Sequence, residues 1–479
     1  MRRLFGRPRS TAAVAIAVLC AFTIVAGVVV SRLLPDRLAL WQQPRIAARR
    51  LAAPDLVLGA ATGVAGPRAS ATSAGVARVI GPMVSSPVFG PQLGVLVTDL
   101  ATGRVLYARN PAAGFAPAST NKLATAVAAL QVLGASARFT TTVVARSGAS
   151  SIVLVGGGDP TLAAGPPPAS DYPQPATLAG LARQTATALR ARGVHSVRLG
   201  YDVSLYSGPG LATGWPQSYV TTGNVSVITP LEVDQGRVTR AGKPADNEAS
   251  GGPRAADPAA LAAASFAGFL TADGITVRGA VRRVAAPADA STLASVESPP
   301  LAAIVQWMLE ESNNVIAENL ARHVALATGR PASFSGAASA VTAVLRRLGV
   351  TGELSLVDGS GLSPDDSVAP AVLVHLISLA ASHPALRPVL TGLPVEGFSG
   401  TLTPGSSVFG LGGPAGLGVV RAKTGNLSTV AALAGTAYAR NGQLIAFAVM
   451  ADKIPAANLV TAATSMVEVA SALAGCGCR

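Results

Sequence analysis

Ser119 and Lys122 stand three residues apart in Pro117-Ala118-Ser119-Thr120-Asn121-Lys122-Leu123-Ala124-Thr125-Ala126. The run after Ser119 is rich in Ala and Leu and reads as a helix. Residues three apart on a helix share a face, so the hydroxyl and the amine can meet. A serine hydroxyl is a weak nucleophile until a neighbour removes its proton. A lysine does that only when desolvation or a nearby cation brings its pKa toward neutrality. The pair is therefore a candidate nucleophile and base. A plain alternative exists: Ser is a common N-cap and Lys a common helix residue, which together give a capped, solvated helix.

Two further patterns change that balance. Ser312-Asn313-Asn314 follows the apolar-periodic segment Leu301–Leu309, and Lys423-Thr424-Gly425 lies between Leu417–Val420 and Val430–Ala434. Each alone reads as a cap, a turn or an edge strand. In this order, Ser-x-x-Lys, Ser-x-Asn and Lys-Thr-Gly form the set associated with penicillin-binding proteins and serine β-lactamases.

The elements that must position these residues follow from local pattern. Leu93–Leu100 and Val105–Ala108, joined by Ala101-Thr102-Gly103-Arg104, predict a hairpin just before Ser119. Helices are expected around 301–310, 314–328, 335–348 and 369–382. Strands are expected over 418–424, 429–438 and 443–450, then a terminal helix. That is an antiparallel sheet with helices packed on it. Between the first two motifs, strands over 151–155, 194–199 and 275–281 alternate with helices over 177–192 and 257–273. Such alternation suggests one or two small α/β domains inserted into a larger one.

The chain has 479 residues, enough for two or three domains, and its hydrophobic content of 49% with 13% charged residues is too apolar for a disordered protein. The formal net charge is +13, but the Arg residues are scattered and aromatics are only 4%. No basic run is interleaved with aromatics, so a nucleic-acid partner is not expected. An anionic envelope or a carboxylate-bearing substrate suits the charge. The three Cys (Cys20, Cys476, Cys478) and the four His (His195, His323, His375, His383) have no metal-ligand spacing, so neither metal nor cofactor is expected. Cys476-Gly477-Cys478 is compatible with a disulfide or with free thiols. Gly-x-Ser-x-Gly and Walker A patterns are absent.

At the N-terminus Arg2, Arg3, Arg7 and Arg9 precede Thr11–Val30, which carries no charge. About 20 apolar residues span a bilayer, and the preceding Arg excess keeps the N-terminus cytoplasmic. The apolar run is long for a cleaved signal and Val28-Val29-Val30-Ser31 is a poor cleavage site, which favours a signal anchor over residues 1–31. Residues 32–84 are rich in Ala, Pro, Arg and Gly and read as a linker.

With that layout, residues 88 to 470 resemble the penicillin-binding protein 4 family, the class C low-molecular-mass D-alanyl-D-alanine carboxypeptidases of peptidase family S13. Besides the three motifs, the resemblance rests on Leu154–Leu162, Val357-Asp358-Gly359-Ser360-Gly361-Leu362-Ser363, Gly400-Thr401-Leu402 and Ala422–Ser428, and on the large insertion after the first motif. One departure is Gly405, where many members carry an Arg. The resemblance implies an α/β (α+β) transpeptidase-like fold: an antiparallel sheet flanked by helices, with a catalytic domain over 85–147 and 298–475 and an insertion over 148–297. It implies a penicillin-binding, cell-wall serine D-Ala-D-Ala carboxypeptidase, with DD-endopeptidase action when a cross-link amine leaves. Its partners would be peptidoglycan stem peptides and β-lactams. Ser119, Lys122, Ser312, Asn314 and Lys423 would be catalytic, and Thr424, Gly425, Asn426 and Ser428 would bind substrate. The backbone N–H groups of Ser119 and Asn426 would hold the oxyanion.

Two alternatives stand beside this reading. One is a β-lactamase or small-ester hydrolase of the same superfamily, marked by rapid β-lactam turnover without D-Ala release. The other is an anchored wall-binding protein with relic motifs, which would not label with penicillin. Asp358 and Ser360 read as turn residues beneath the pocket, and Trp215 and Trp307 as core.

Overall fold

A computed structural model describes residues 70–146, 150–170, 172–238 and 252–478. The expected signal anchor and Cys20 lie outside the described residues.

Along the chain, α1 (Ser73–Val84) leads into the hairpin β1 (Gln92–Asp99) and β2 (Val105–Arg109), then a 3-10 turn (Ala118–Asn121) running into α2 (Lys122–Leu133). There follow β3 (Thr140–Ala145), β4 (Ser151–Val155), α3 (Leu178–Arg190), β5 (Ser196–Asp202), the short α4 (Ser218–Thr221), α5 (Pro258–Ala272), β6 (Thr276–Val277), β7 (Arg282–Arg283) and β8 (Ser291–Glu297). Helices α6 (Leu301–Glu310), α7 (Asn314–Ala327) and α8 (Phe334–Arg347) precede the two-residue strands β9 (Leu354–Ser355) and β10 (Ser367–Val368). Last come α9 (Pro370–Ser382), α10 (Arg387–Thr391), β11 (Val420–Leu427), β12 (Val430–Tyr438), β13 (Leu444–Asp452) and α11 (Leu459–Gly475).

The principal sheet has the order β11-β12-β13-β1-β2, with every neighbouring pair antiparallel. Both faces are covered, so its inner strands are apolar throughout rather than alternating. In β13, Ala446, Ala448 and Met450 face the core shared with α2, α6, α7, α8 and α9, while Ile445, Phe447 and Val449 face α1 and α11. The period of two along a strand divides one apolar run between two cores. Each large apolar side chain so buried contributes about 1.5–3 kcal/mol.

A second sheet, in the order β6-β5-β4-β3-β8, carries its own core around Leu181, Leu199, Phe266 and Leu270. Strands β4 and β5 run parallel, and α3 supplies the crossover that a parallel pair requires.

Two expectations need correction. The linker read over 32–84 ends in a helix: Thr72 caps α1, and Val76, Ile80 and Val84 are buried against the principal sheet. The Pro82 and small residues that suggested a spacer are tolerated because one apolar stripe finds a partner. The strand read over 275–281 pairs with β5 only at Thr276 and Val277; the chain then turns at Gly279 (φ 73°) and returns to β5 at Arg282–Arg283.

Among the described residues, Ala456–Gly475 is the one continuous helical stretch long and apolar enough to cross a membrane, yet Ala462, Met466, Val467, Ala470 and Leu473 pack it on the sheet. Just past it, Cys476 and Cys478 form a disulfide, and the Cys478 carbonyl accepts from Thr72 N–H at 2.7 Å.

Candidate active site

Ser119 occupies the 3-10 turn that starts the buried helix α2. Ala118 just before it is fully buried at φ 45°, a conformation that needs surrounding structure to hold it. That support is close packing: a Cβ on Gly361 would overlap the Ala118 carbonyl, and one on Gly425 would lie 2.9 Å from Ser119 N. The two glycines let a loop and the strand β11 press on the serine turn from different directions.

Lys122 is fully buried. Its Nζ lies 2.8 Å from Ser119 Oγ, 2.6 Å from Asn314 Oδ1 and 2.8 Å from the Ser360 carbonyl. The Asn314 amide is turned by its other end, since Nδ2 donates to the Asn224 carbonyl at 2.8 Å. Asn314 Oδ1 and Ser360 C=O can only accept. An unprotonated amine meets this geometry in full: two N–H groups go to the two acceptors, and the lone pair receives the Ser119 hydroxyl proton. Burial lowers the Lys122 pKa to about 7, against the opposing pull of Asp358, Glu318 and Asp366.

Beneath this pair, Asp358 organises the loop that presents the Ser360 carbonyl. Its Oδ1 accepts from the N–H groups of Ser360 (3.0 Å) and Gly361 (2.6 Å); its Oδ2 accepts from Ser363 N–H (2.7 Å) and Trp215 Nε1 (2.9 Å). Glu318, on α7, accepts from Gly359 N–H at 3.1 Å, and Asp366 accepts from Val357 N–H at 2.6 Å. Burial and then the Asp358 charge raise Glu318 to about 8 and Asp366 to about 9. The raised values weaken the negative charge beneath Lys122, so burial prevails over the opposing pull of the three carboxyl groups.

The third motif is the edge strand β11. Its side chains alternate, so Val420 and Ala422 join the α11-side core while Lys423 and Gly425 point toward the serine turn. Lys423 is fully buried, and burial followed by the Lys122 charge pushes its pKa well down. Its Nζ donates to the Thr424 carbonyl at 2.8 Å, and the Thr424 and Thr401 hydroxyls bond at 2.6 Å.

The free edge of β11 is half covered. Glu396 N–H donates to Val420 C=O and Ala422 N–H donates to Pro394 C=O, both at 3.0 Å. Val420 and Ala422 thus turn their backbone groups away from β12. By the alternation of an antiparallel ladder, Thr424 C=O and Asn426 N–H turn the same way, onto the stretch of edge beyond that cover.

The structure thus brings together Ser119, Lys122, Asn314, Lys423, Thr424 and Gly425. Ser312 stands two residues from Asn314 at φ 57°, and its hydroxyl makes no side-chain hydrogen bond among the described residues. Asn426 is exposed at the end of β11, and Ser428 is exposed in the two-residue turn to β12. Asn224 and Glu318, which sequence reasoning missed, meet the site through tertiary contacts. Asp358 and Trp215 do lie beneath the pocket and in a core, as read, but each also has a specific hydrogen bond. No group of three or more metal-ligating side chains occurs among the described residues.

The chain matches the profile of the D-Ala-D-Ala carboxypeptidase 3 (S13) family over residues 83–251 and 241–473. It is 35% identical over 409 residues to a protein of Mycolicibacterium smegmatis named carboxypeptidase DacB, covering 84% of this chain and 85% of that one. It is 31% identical over 421 residues to a D-alanyl-D-alanine carboxypeptidase of Actinomadura, covering 74% and 77%. The crystal structure of penicillin binding protein 4 from Haemophilus influenzae superposes with a TM-score of 0.65 at 23% identity, over 82% of this chain and 98% of that one. That last likeness concerns the fold.

Proposed function

The chain belongs to the D-Ala-D-Ala carboxypeptidase 3 (S13) family, and from that premise we propose that it is a cell-wall serine D-Ala-D-Ala carboxypeptidase working through an acyl-enzyme on Ser119. The observation that carries the assignment of the nucleophile is the hydrogen-bond set of Lys122. Two of its three partners can only accept, so the third, Ser119 Oγ, is where a proton can be taken.

In this reading the stem peptide lies along the open end of β11, and Ser119 Oγ attacks the carbonyl between the two D-Ala residues. The Oγ–C bond forms as the hydroxyl proton moves to Lys122 Nζ. Charge develops on the carbonyl oxygen and is held by the N–H groups of Ser119 and Asn426; losing one such donor costs about 3–4 kcal/mol of transition-state stabilisation. The C–N bond then breaks, and the proton passes from Lys122 through Ser312 to the leaving D-Ala amine. Water completes the cycle by hydrolysing the ester. Asn314 orients Lys122 and bonds the substrate amide. Lys423 and Thr424 hold the terminal carboxylate, with Thr401 orienting the Thr424 hydroxyl. An arriving carboxylate favours the charged form of Lys423 that burial disfavours in the free enzyme. Gly425 leaves room for the serine turn, and Ser428 lines the far end of the edge.

Residues 1–31 serve as a membrane anchor that keeps residues 85–147 and 298–475, the catalytic domain, and the insertion over 148–297 on the outer side, beside peptidoglycan. β-Lactams enter as mimics of the D-Ala-D-Ala end. The test is Ser119→Ala in the purified protein. The variant is expected neither to release D-Ala from a pentapeptide nor to label with fluorescent penicillin; either activity surviving would remove Ser119 as the nucleophile.

A further inference from the structure

The segment Trp215–Gln235 lies in the insertion; Leu231 and Val233 join the core of the second sheet, while Trp215, Val225 and Ile228 pack with Val315, Phe334 and Leu362 of the catalytic domain. It also makes three separate polar contacts with the second motif and the loop beneath Lys122. The Asn224 carbonyl accepts from Asn314 Nδ2 at 2.8 Å. Gln235 Oε1 accepts from Asn313 Nδ2 at 2.9 Å. Trp215 Nε1 donates to Asp358 Oδ2 at 2.9 Å.

The first two contacts do one kind of work. A carboxamide has a donor end and an acceptor end, and occupying the donor end decides where the acceptor points. Asn313 Nδ2 is taken by Gln235, so Asn313 Oδ1 caps α7 by accepting from Ile316 N–H at 3.0 Å. Asn314 Nδ2 is taken by Asn224, so Asn314 Oδ1 faces Lys122 Nζ. Both amides of the second motif thus have their polarity set from the insertion. The third contact does similar work on the loop that offers the Ser360 carbonyl to Lys122.

The segment is itself held under tension. Asp234 and Gln235 sit consecutively at φ 49° and φ 55°, where non-glycine residues are rare. Arg254 closes the loop, donating to the Gly223 carbonyl at 3.0 Å and the Gln235 carbonyl at 3.1 Å. Strained backbone persists where surrounding contacts over-determine it, and such places cluster at working sites.

We propose that Trp215–Gln235 is a positioning strap for the reaction, in which Gln235 and Trp215 act through Asn313 and Asp358 to hold the acceptors of Lys122 in place. The strap rests on the acyl-enzyme reading of Ser119 and Lys122, and it makes the insertion part of the catalytic scaffold.

Gln235 gives a clean test. Glycine occupies positive φ without strain, so Gln235→Gly removes the side chain and leaves the turn comfortable. Gln235 Nε2 has no partner among the described residues, so Gln235→Glu keeps an acceptor for Asn313 and loses no hydrogen bond seen there at the other position. Full-length wild type and variants are compared by the second-order rate of labelling with fluorescent penicillin, by kcat and KM on a D-Ala-D-Ala pentapeptide, and by melting temperature. Gln235→Gly is expected to label at least tenfold more slowly, with kcat falling and KM within twofold. Gln235→Glu is expected within threefold of wild type. Trp215→Phe, which keeps an aromatic ring against Phe334 but removes the N–H and part of the indole, is expected to be at least fivefold slower when assayed below its own melting temperature, and it decides the matter if Gln235→Gly melts early. Wild-type rates in the folded variants, or equal slowing in Gln235→Gly and Gln235→Glu, overturn the strap alone. A wild-type chain that never labels overturns the strap together with the acyl-enzyme reading.

Discussion

Acylation should climb about tenfold per pH unit below neutrality, and Lys122 sets that slope. Burial brings its pKa from 10.5 down to about 7. The neutral amine is the base, so its fraction is roughly 1 in 100 at pH 5 and roughly 9 in 10 at pH 8. Labelling by fluorescent penicillin, followed by stopped flow, should therefore be about ninetyfold faster at pH 8 than at pH 5. Lys423 lies within electrostatic reach, so the midpoint belongs to the coupled pair of lysines. The same shift has a sign in stability. Between pH 7 and 10.5 the unfolded chain keeps the Lys122 proton that the folded chain has released, so the unfolded state binds more protons and stability rises with pH. Below pH 7 the full penalty applies, about 5 kcal/mol at most. Lys122→Met should abolish labelling, and its gain in melting temperature over wild type should be largest at pH 6 and shrink toward pH 10. A labelling rate flat from pH 5 to 8, or one rising with a midpoint near 10, would refute the neutral-lysine argument.

Two substitutions probe the third motif. Gly425→Ala places a Cβ 2.8 Å from the Pro117 carbonyl and 2.9 Å from Ser119 N, so β11 or the serine turn must shift; labelling should drop by more than a hundredfold with the far-ultraviolet circular dichroism unchanged. Thr401→Val removes the hydroxyl that orients Thr424 and should raise KM for a pentapeptide about tenfold, roughly 1.4 kcal/mol, with kcat nearly constant in steady-state D-Ala release.

The sequence carried the three motifs because each sits at an element boundary with a local signal. Ser119 and Lys122 flank a helix start, Asn314 begins α7, and Lys423 lies in an apolar edge strand; the helices over 301–382 were legible from periodicity to within a residue or two. What stayed hidden depends on contacts far apart in the chain. Asn224 contributes a carbonyl, which no residue type advertises. Glu318 is one acid among several in the chain, and only the fold buries it beside Asp358. Trp215 was readable as apolar mass, but one N–H among its atoms reaches Asp358. The helix α1 escaped because its Gly and Pro suppress local propensity, and tertiary packing compensates.

The half-covered border of β11 has a consequence for what can dock there. An unpaired strand invites any extended chain, including another copy of the same protein. Here the invitation is two residues long, bounded on one side by Pro394–Glu396 and on the other by the turn at Ser428. A peptide tail with a free end can slip into so short a gap; a strand embedded in a folded neighbour has flanking bulk that collides with both stops. A docking segment at this edge must therefore be short, whatever its side chains.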